Sequence, residues 1–230
     1  MQTKLNRRGY KSPIPKTARE VVDKSYDDGT KEESSFFVGR KKVGCRVWWD
    51  DGHLLCEYGL KDGLKHGNDL DFDTNGHLYA VEPYRNGRAH GTAKQFASDG
   101  SVLVSYVLRN GIGMDLWCRD NGSLCEELYW PDDGELGYQR FWNDDGTTIH
   151  SEKSWTNGGW HGIHRKWNAK GKLCRGFPKF FINNEQVTKK QYLRACASDP
   201  ILPEYLPEVD RPYRTLPAEF LAQRKKKRDR

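Results

Sequence analysis

The glycines of this chain fall on a fixed period, and that period constrains the fold more than any other feature. A glycine preceded by a short polar pair recurs at Gly29, Gly52, Gly76, Gly100, Gly122, Gly146 and Gly171, at intervals of 23, 24, 24, 22, 24 and 25 residues. A second series, Gly39, Gly63, Gly87, Gly111, Gly134 and Gly158, runs between them, and a third holds Gly44, Gly67, Gly91, Gly137 and Gly162. Self-similarity at such a period marks a repeat architecture. Asp-Gly and Asn-Gly pairs demand a backbone with φ > 0, which glycine adopts without steric cost. Four residues before the turn glycine stand Trp48, Phe72, Phe96, Cys118, Trp142 and Trp167. Two residues after it stand Leu54, Leu78, Val102, Leu124, Thr148 and Leu173. Each unit therefore reads as a β-hairpin with one apolar pair on one face. A lone hairpin is marginal in water, so the units must share those columns with their neighbours. The prediction is an all-β array: six to seven hairpins in one long, twisted antiparallel sheet with a period of about 24 residues.

Composition suits such an array. Hydrophobic residues make up 36% and charged residues 30%, so the core is thin, but eight Trp supply area to fill it. Strands alternate faces. The residues two before the aromatic column, Arg46, Leu70, Lys94, Leu116, Arg140 and Arg165, therefore share its side. Four of the six are basic, and a cation beside an aromatic ring can stack on it. Trp48, Phe72, Phe96, Trp142 and Trp167, with Arg46, Lys94, Arg140 and Arg165, form the candidate partner-binding strip. No second layer is evident between residues 45 and 175. The column is thus expected to be covered in part, by twist, by residues 1–25 or by the proline-rich stretch 198–222, leaving an open apolar site near the middle units.

The ends depart from the repeat. Residues 1–25 are basic, and "TAREVVDKS" reads as a short helix over about 17–25. Residues 26–180 are the repeats. Residues 181–223 read as a cap: a hairpin about Asn183-Asn184, a helix begun by a Thr188/Gln191 capping box, then five prolines that forbid regular structure. Residues 224–230, "RKKKRDR", read as a basic disordered tail. The first 20 residues and the last seven each carry a net +5, against +6 for the whole chain, so the body between them is net acidic. Basic ends of this kind attract nucleic acid or anionic lipid.

Little points to catalysis. His66, His90 and His161 recur in G-x-x-H-G, and a recurring histidine belongs to the fold, its ring bonding a loop carbonyl of the adjacent unit. The six cysteines form no C-x-x-C pair, and Cys118 and Cys125 have no histidine at ligand spacing, so no zinc site or cofactor is expected. No phosphate-cradling G-K-[ST] loop is present. No run is apolar enough for a signal peptide or membrane span, and the expected setting is cytoplasmic, with reduced thiols.

The stretches "YRNGRAHGTAKQFASDGSV" and "WTNGGWHGIHRKWNAKGKL" resemble the variant MORN repeat of bacterial YwqK-like antitoxin proteins, over about residues 26–180. The pattern lapses where Asp115 replaces the loop glycine and where "DDGELG" is one residue short. The resemblance implies a binding scaffold without catalytic residues, possessing an antitoxin-like role in which a partner protein is neutralised by binding. Some related repeats are linked to lipids. Protein–protein binding is the expected function, with attachment to acidic lipid or nucleic acid through the basic ends as the alternative. A neutral aromatic groove would favour the first, and a basic face continuous with both ends the second.

Overall fold

A computed structural model describes residues 5–156 and 159–228. The fold is all-β and antiparallel, with two short helices. The strands lie in two sheets, not the single sheet expected from the repeat. The chain divides into two compact units, Met1–Gly111 and Ile112–Arg230. The division falls where "GIGMD", residues 111–115, puts Met114 and Asp115 in place of the His-Gly of the loop motif.

The first sheet holds nine strands: β1 (Arg19–Ser25), β2 (Lys31–Val38), β3 (Lys41–Trp48), β4 (Leu54–Lys61), β5 (Leu64–Phe72), β6 (Leu78–Arg85), β7 (Arg88–Ala89), β8 (Gly91–Phe96) and β9 (Val102–Leu108). They pair in chain order, with the short β7 set aside against β6. The second holds β10 (Gly113–Cys118), β11 (Leu124–Trp130), β12 (Gly137–Trp142), β13 (Ile149–Thr156), β14 (Gly159–Trp160), β15 (Gly162–Lys166), β16 (Lys179–Ile182) and β17 (Glu185–Val187). After it come α1 (Lys189–Ala195) and α2 (Ala218–Arg228). Among the described residues no helix is long and apolar enough to cross a membrane.

The repeat glycines close the same turn seven times. Gly52 N–H donates to the Trp49 carbonyl at 2.9 Å, and Trp49 N–H donates to His53. The other six turn glycines make the equivalent bond, all with φ between 62° and 92°. In the sixth unit the strand-closing bond from Asn143 runs to Thr148, one residue later than elsewhere. The extra residue shifts the column, so that Ile149, not Thr148, stands opposite Trp142. The one polar exception in the aliphatic column is therefore a register effect.

The junction loops are hydrogen-bonded to one another. Gly87 N–H donates to the Lys65 carbonyl and Gly111 N–H to that of Ala89, in each case the residue before the motif histidine. His90 Nδ1 meets Asn110 Oδ1 at 2.9 Å, and His161 Nδ1 accepts from Asn183 N–H at 3.3 Å. His90 and His161 thus bond the next loop, through asparagine groups and not through the expected backbone carbonyl, whereas His66 Nδ1 is buried without a hydrogen-bond partner. Gly158 of the second series lies outside the described residues, as do residues 229 and 230 of the basic tail.

Two expectations for the ends need correction. Residues 19–25 form strand β1, not a helix, with Arg19 opposite Phe37 and Val21 opposite Ser35. Consecutive Val21 and Val22 favour a strand, and β2 offers an unpaired edge. The tail from residue 224 is not irregular to its end, because α2 continues to Arg228. Leu221 N–H bonds the Pro217 carbonyl, Phe220 is buried, and the sequence after it is rich in strong helix formers. The hairpin at Asn183-Asn184 and the capping box at Thr188 form as expected.

The aromatic column is core. Phe72 is 1% exposed, Trp142 0% and Trp167 3%; Phe96 is buried as well, and only Trp48 is half-buried. The expected open strip is closed within each unit by that unit's own terminal segment. In the first, Leu5 and Tyr10 pack on the cluster of Leu54, Leu70, Phe72, Leu78, Val81 and Phe96. Asn6 bridges to His77, Ile14 approaches Gly44 so closely that a Cβ there would clash, and Pro13 would lie 3.2 Å from a Cβ at Gly59. In the second, Pro212 accepts from Ile149 N–H, the Asp210 carbonyl from Trp167 Nε1 at 2.6 Å, and Tyr213 bridges to Thr148.

Candidate functional site

Three of the four basic residues beside the aromatic column, Arg46, Arg140 and Arg165, face glutamates. Arg46 on β3 stands opposite Glu57 on β4, which is fully buried, and its Nε donates to Oε2 at 3.1 Å. In the second unit the row reads Leu116, Glu127, Arg140, Glu152, Arg165 across five consecutive strands. Arg140 donates to Glu127 at 2.9 Å and to Glu152 at 2.6 Å, while Arg165 reaches Glu152 at 3.2 Å and Asp210 at 2.8 Å. In the first unit the row continues from Arg46 and Glu57 through Leu70 and Val81, apolar groups at the same positions, and Lys94 stands between Val81 and Ser105. Buried ion pairs trade evenly with apolar pairs when every charge is met, which is why one row accommodates both.

The terminal segments plug into this row. Arg7 Nε donates to Glu57 at 2.7 Å, and Ser12 Oγ donates to the same carboxylate. Arg214, from the proline-rich segment, donates to both oxygens of Glu152, at 3.1 and 3.0 Å. The cations that lie over the column's rings also come largely from the termini. Arg7 sits over Phe72, Arg8 over Phe96 and Arg214 over Trp167. Burial alone would raise the Glu152 carboxyl, but hydrogen bonds from Arg214 and the charges of Arg140 and Arg214 hold it at about 2. Glu127 is raised instead, because burial outweighs its single arginine.

Of the nine strip residues, Phe72, Phe96, Trp142, Trp167 and Arg165 are therefore interior. Arg140 and Lys94 are half-buried in the ionic row. Trp48 and Arg46 alone line a cleft, of about 630 Å³, at the turn ends of the first unit, together with Lys31, Glu20 and His53. Even there Lys31 is held by Glu20 at 2.7 Å and Arg46 by Glu57.

The exposed apolar surface is on the opposite face. In the second unit, Trp130 ends β11, Trp155 lies on β13 and Trp160 on β14; together with Leu128 and Gln139 they line a hollow of about 350 Å³. Trp130 is 41% exposed and Trp160 38%. The rings of Trp130 and Trp155 meet edge to face at 6.0 Å, and Lys153 lies over Trp160. Gly137 opposite Trp155 makes the close packing feasible, since a Cβ there would meet the indole at 2.8 Å. Sequence reasoning missed this patch, although Trp130 and Trp155 share one repeat position: they stand opposite Gly113 and Gly137 as Tyr84 and Leu108 stand opposite Gly67 and Gly91. Their signal was the strand alternation itself, which turns Trp155 away from the row when Glu152 faces it with Ser154. No model of a known protein family matches the chain, and no curated protein matches it significantly.

Proposed function

We propose that this chain is a non-enzymatic scaffold that binds a partner protein through the tryptophan patch at Trp130, Trp155 and Trp160. The observation that carries it is the grouping of these large, half-exposed rings with Leu128 around one hollow. Tryptophans ordered by packing against one another contribute much contact area at low entropic cost, and interface hot spots are rich in them. The groove is aromatic and weakly charged, the outcome set out above as favouring protein binding. An antitoxin-like use is the same proposal with a toxin as the partner. Attachment to an anionic surface keeps one observation in its favour, the exposed Leu193 among Lys189, Lys190 and Arg194 on α1.

The test is affinity capture from the host's own extract with the native chain beside Trp130→Ala/Trp160→Ala. The proposal expects a protein retained by the first and lost from the second, with both melting alike. Equal recovery by the two chains would refute the patch. Recovery only of anionic lipid or nucleic acid, lost instead on Lys189→Glu/Arg194→Glu, would favour the other reading.

A further inference from the structure

Adjacent strands bring together a thiol and two carboxylates that lie apart in sequence. On β4 and β5 the alternation that turns Glu57 and Leu70 into the buried row turns Cys56, Asp69 and Asp71 to the other face. Cys56 stands directly opposite Asp71, and Asp69 is one pleat along, opposite Tyr58. The Cys56 sulfur and one oxygen from each carboxylate all lie within 4.8 Å of one another. Asp69 has a side chain only 10% exposed. One of its oxygens takes the Lys65 ammonium at 2.5 Å, and the other, Oδ1, is buried without a hydrogen-bond partner. Lys65 is itself drawn aside over the rings of Tyr58 and Tyr84, at 4.4 and 4.9 Å. Two carboxylates and a thiol thus face one fixed cation, and one buried carboxylate oxygen remains unsatisfied.

We propose that Cys56, Asp69 and Asp71 bind a single divalent transition-metal cation of the zinc class on the outer face of the first sheet. The donor set selects the ion. Zinc accepts sulfur, nitrogen and oxygen donors, whereas calcium and magnesium take oxygen alone. Three protein ligands leave one position for water or a ligand from outside. Thiolate and carboxylate bind a cation only when deprotonated, so affinity rises with pH.

Cobalt(II) titration of the full chain tests the site, because cobalt–thiolate ligation gives a charge-transfer absorption that carboxylates alone do not. The expected result is a band that saturates at one equivalent, is displaced by zinc and strengthens with rising pH. Cys56→Ser should abolish it. Asp71→Asn should lower zinc affinity by at least ~10-fold, as outer-sphere changes already do at zinc sites. In the unmutated chain, zinc should slow alkylation of Cys56 and leave the half-buried Cys125 unaffected, a readout that needs no variant to fold. A missing band, unchanged affinity in both variants, or undiminished alkylation of Cys56 in zinc would overturn the proposal.

Discussion

Glu152 and Glu127 sit two strands apart in one row, yet their surroundings set them to opposite tasks. Glu152 is met by Arg140, Arg165 and Arg214, and its carboxyl is held at about 2. A folded-state value below the ordinary one means that its ion pairs stabilise the protein above the usual carboxylate range. That contribution is lost as pH falls towards about 2. Removing it by Glu152→Ala leaves Arg214 without its carboxylate, takes one of two carboxylate partners from Arg140 and from Arg165, and should cost about 3–5 kcal/mol. Glu127 is raised, so its charge is disfavoured in the fold, and the penalty lifts as pH falls through its elevated value. Glu127→Gln keeps an acceptor for Arg140 and should cost under about 1 kcal/mol. Urea melts at neutral pH check both, and equal costs would show that the row does not distinguish them.

The elements were legible wherever a turn carries its own chemistry. The seven glycine turns, the Asn183-Asn184 hairpin and the helix cap at Thr188 each rest on residues within about five positions of one another. What escaped was decided by a neighbouring strand. Residues 19–25 have enough polar spacing to suggest a helix, but the edge of β2 captures them. Thr148 counted as the column residue until Asn143 bonded it across a longer loop and passed the place to Ile149. The junction turns give an element-scale prediction. Gly87 has φ of +82°, and a Cβ there would lie 3.4 Å from Leu64 of the preceding loop. A β-branched side chain is strained in that conformation, so Gly87→Val should lower stability by roughly 1–3 kcal/mol. Thermal melts that do not move would mean that this loop does not depend on its glycine.

At the scale of the whole molecule, the repeat announced the sheets but not what covers them. A periodic apolar column without a second layer in its own stretch leaves the cover to segments remote in sequence. Nothing local marks Arg7 as the partner of Glu57, or Arg214 as that of Glu152. The positive charge of the N-terminal segment read as a solvated, anion-seeking end, whereas Arg7 and Arg8 are placed against a buried carboxylate, backbone carbonyls and two rings. The same inversion moved the candidate site. With the column sealed, the proposed site moves to Trp130 and Trp160 on the other face of the second unit; Trp49, at a turn of the first, is exposed as well. Oxidative footprinting of the isolated protein, read tryptophan by tryptophan by mass spectrometry, tests that assignment most directly. Trp130 and Trp160 should be modified readily, and Trp142 and Trp167 protected until the protein unfolds. Modification of Trp142 and Trp167 as fast as that of Trp130 in the folded protein would contradict it, and would return the binding site to the repeat column.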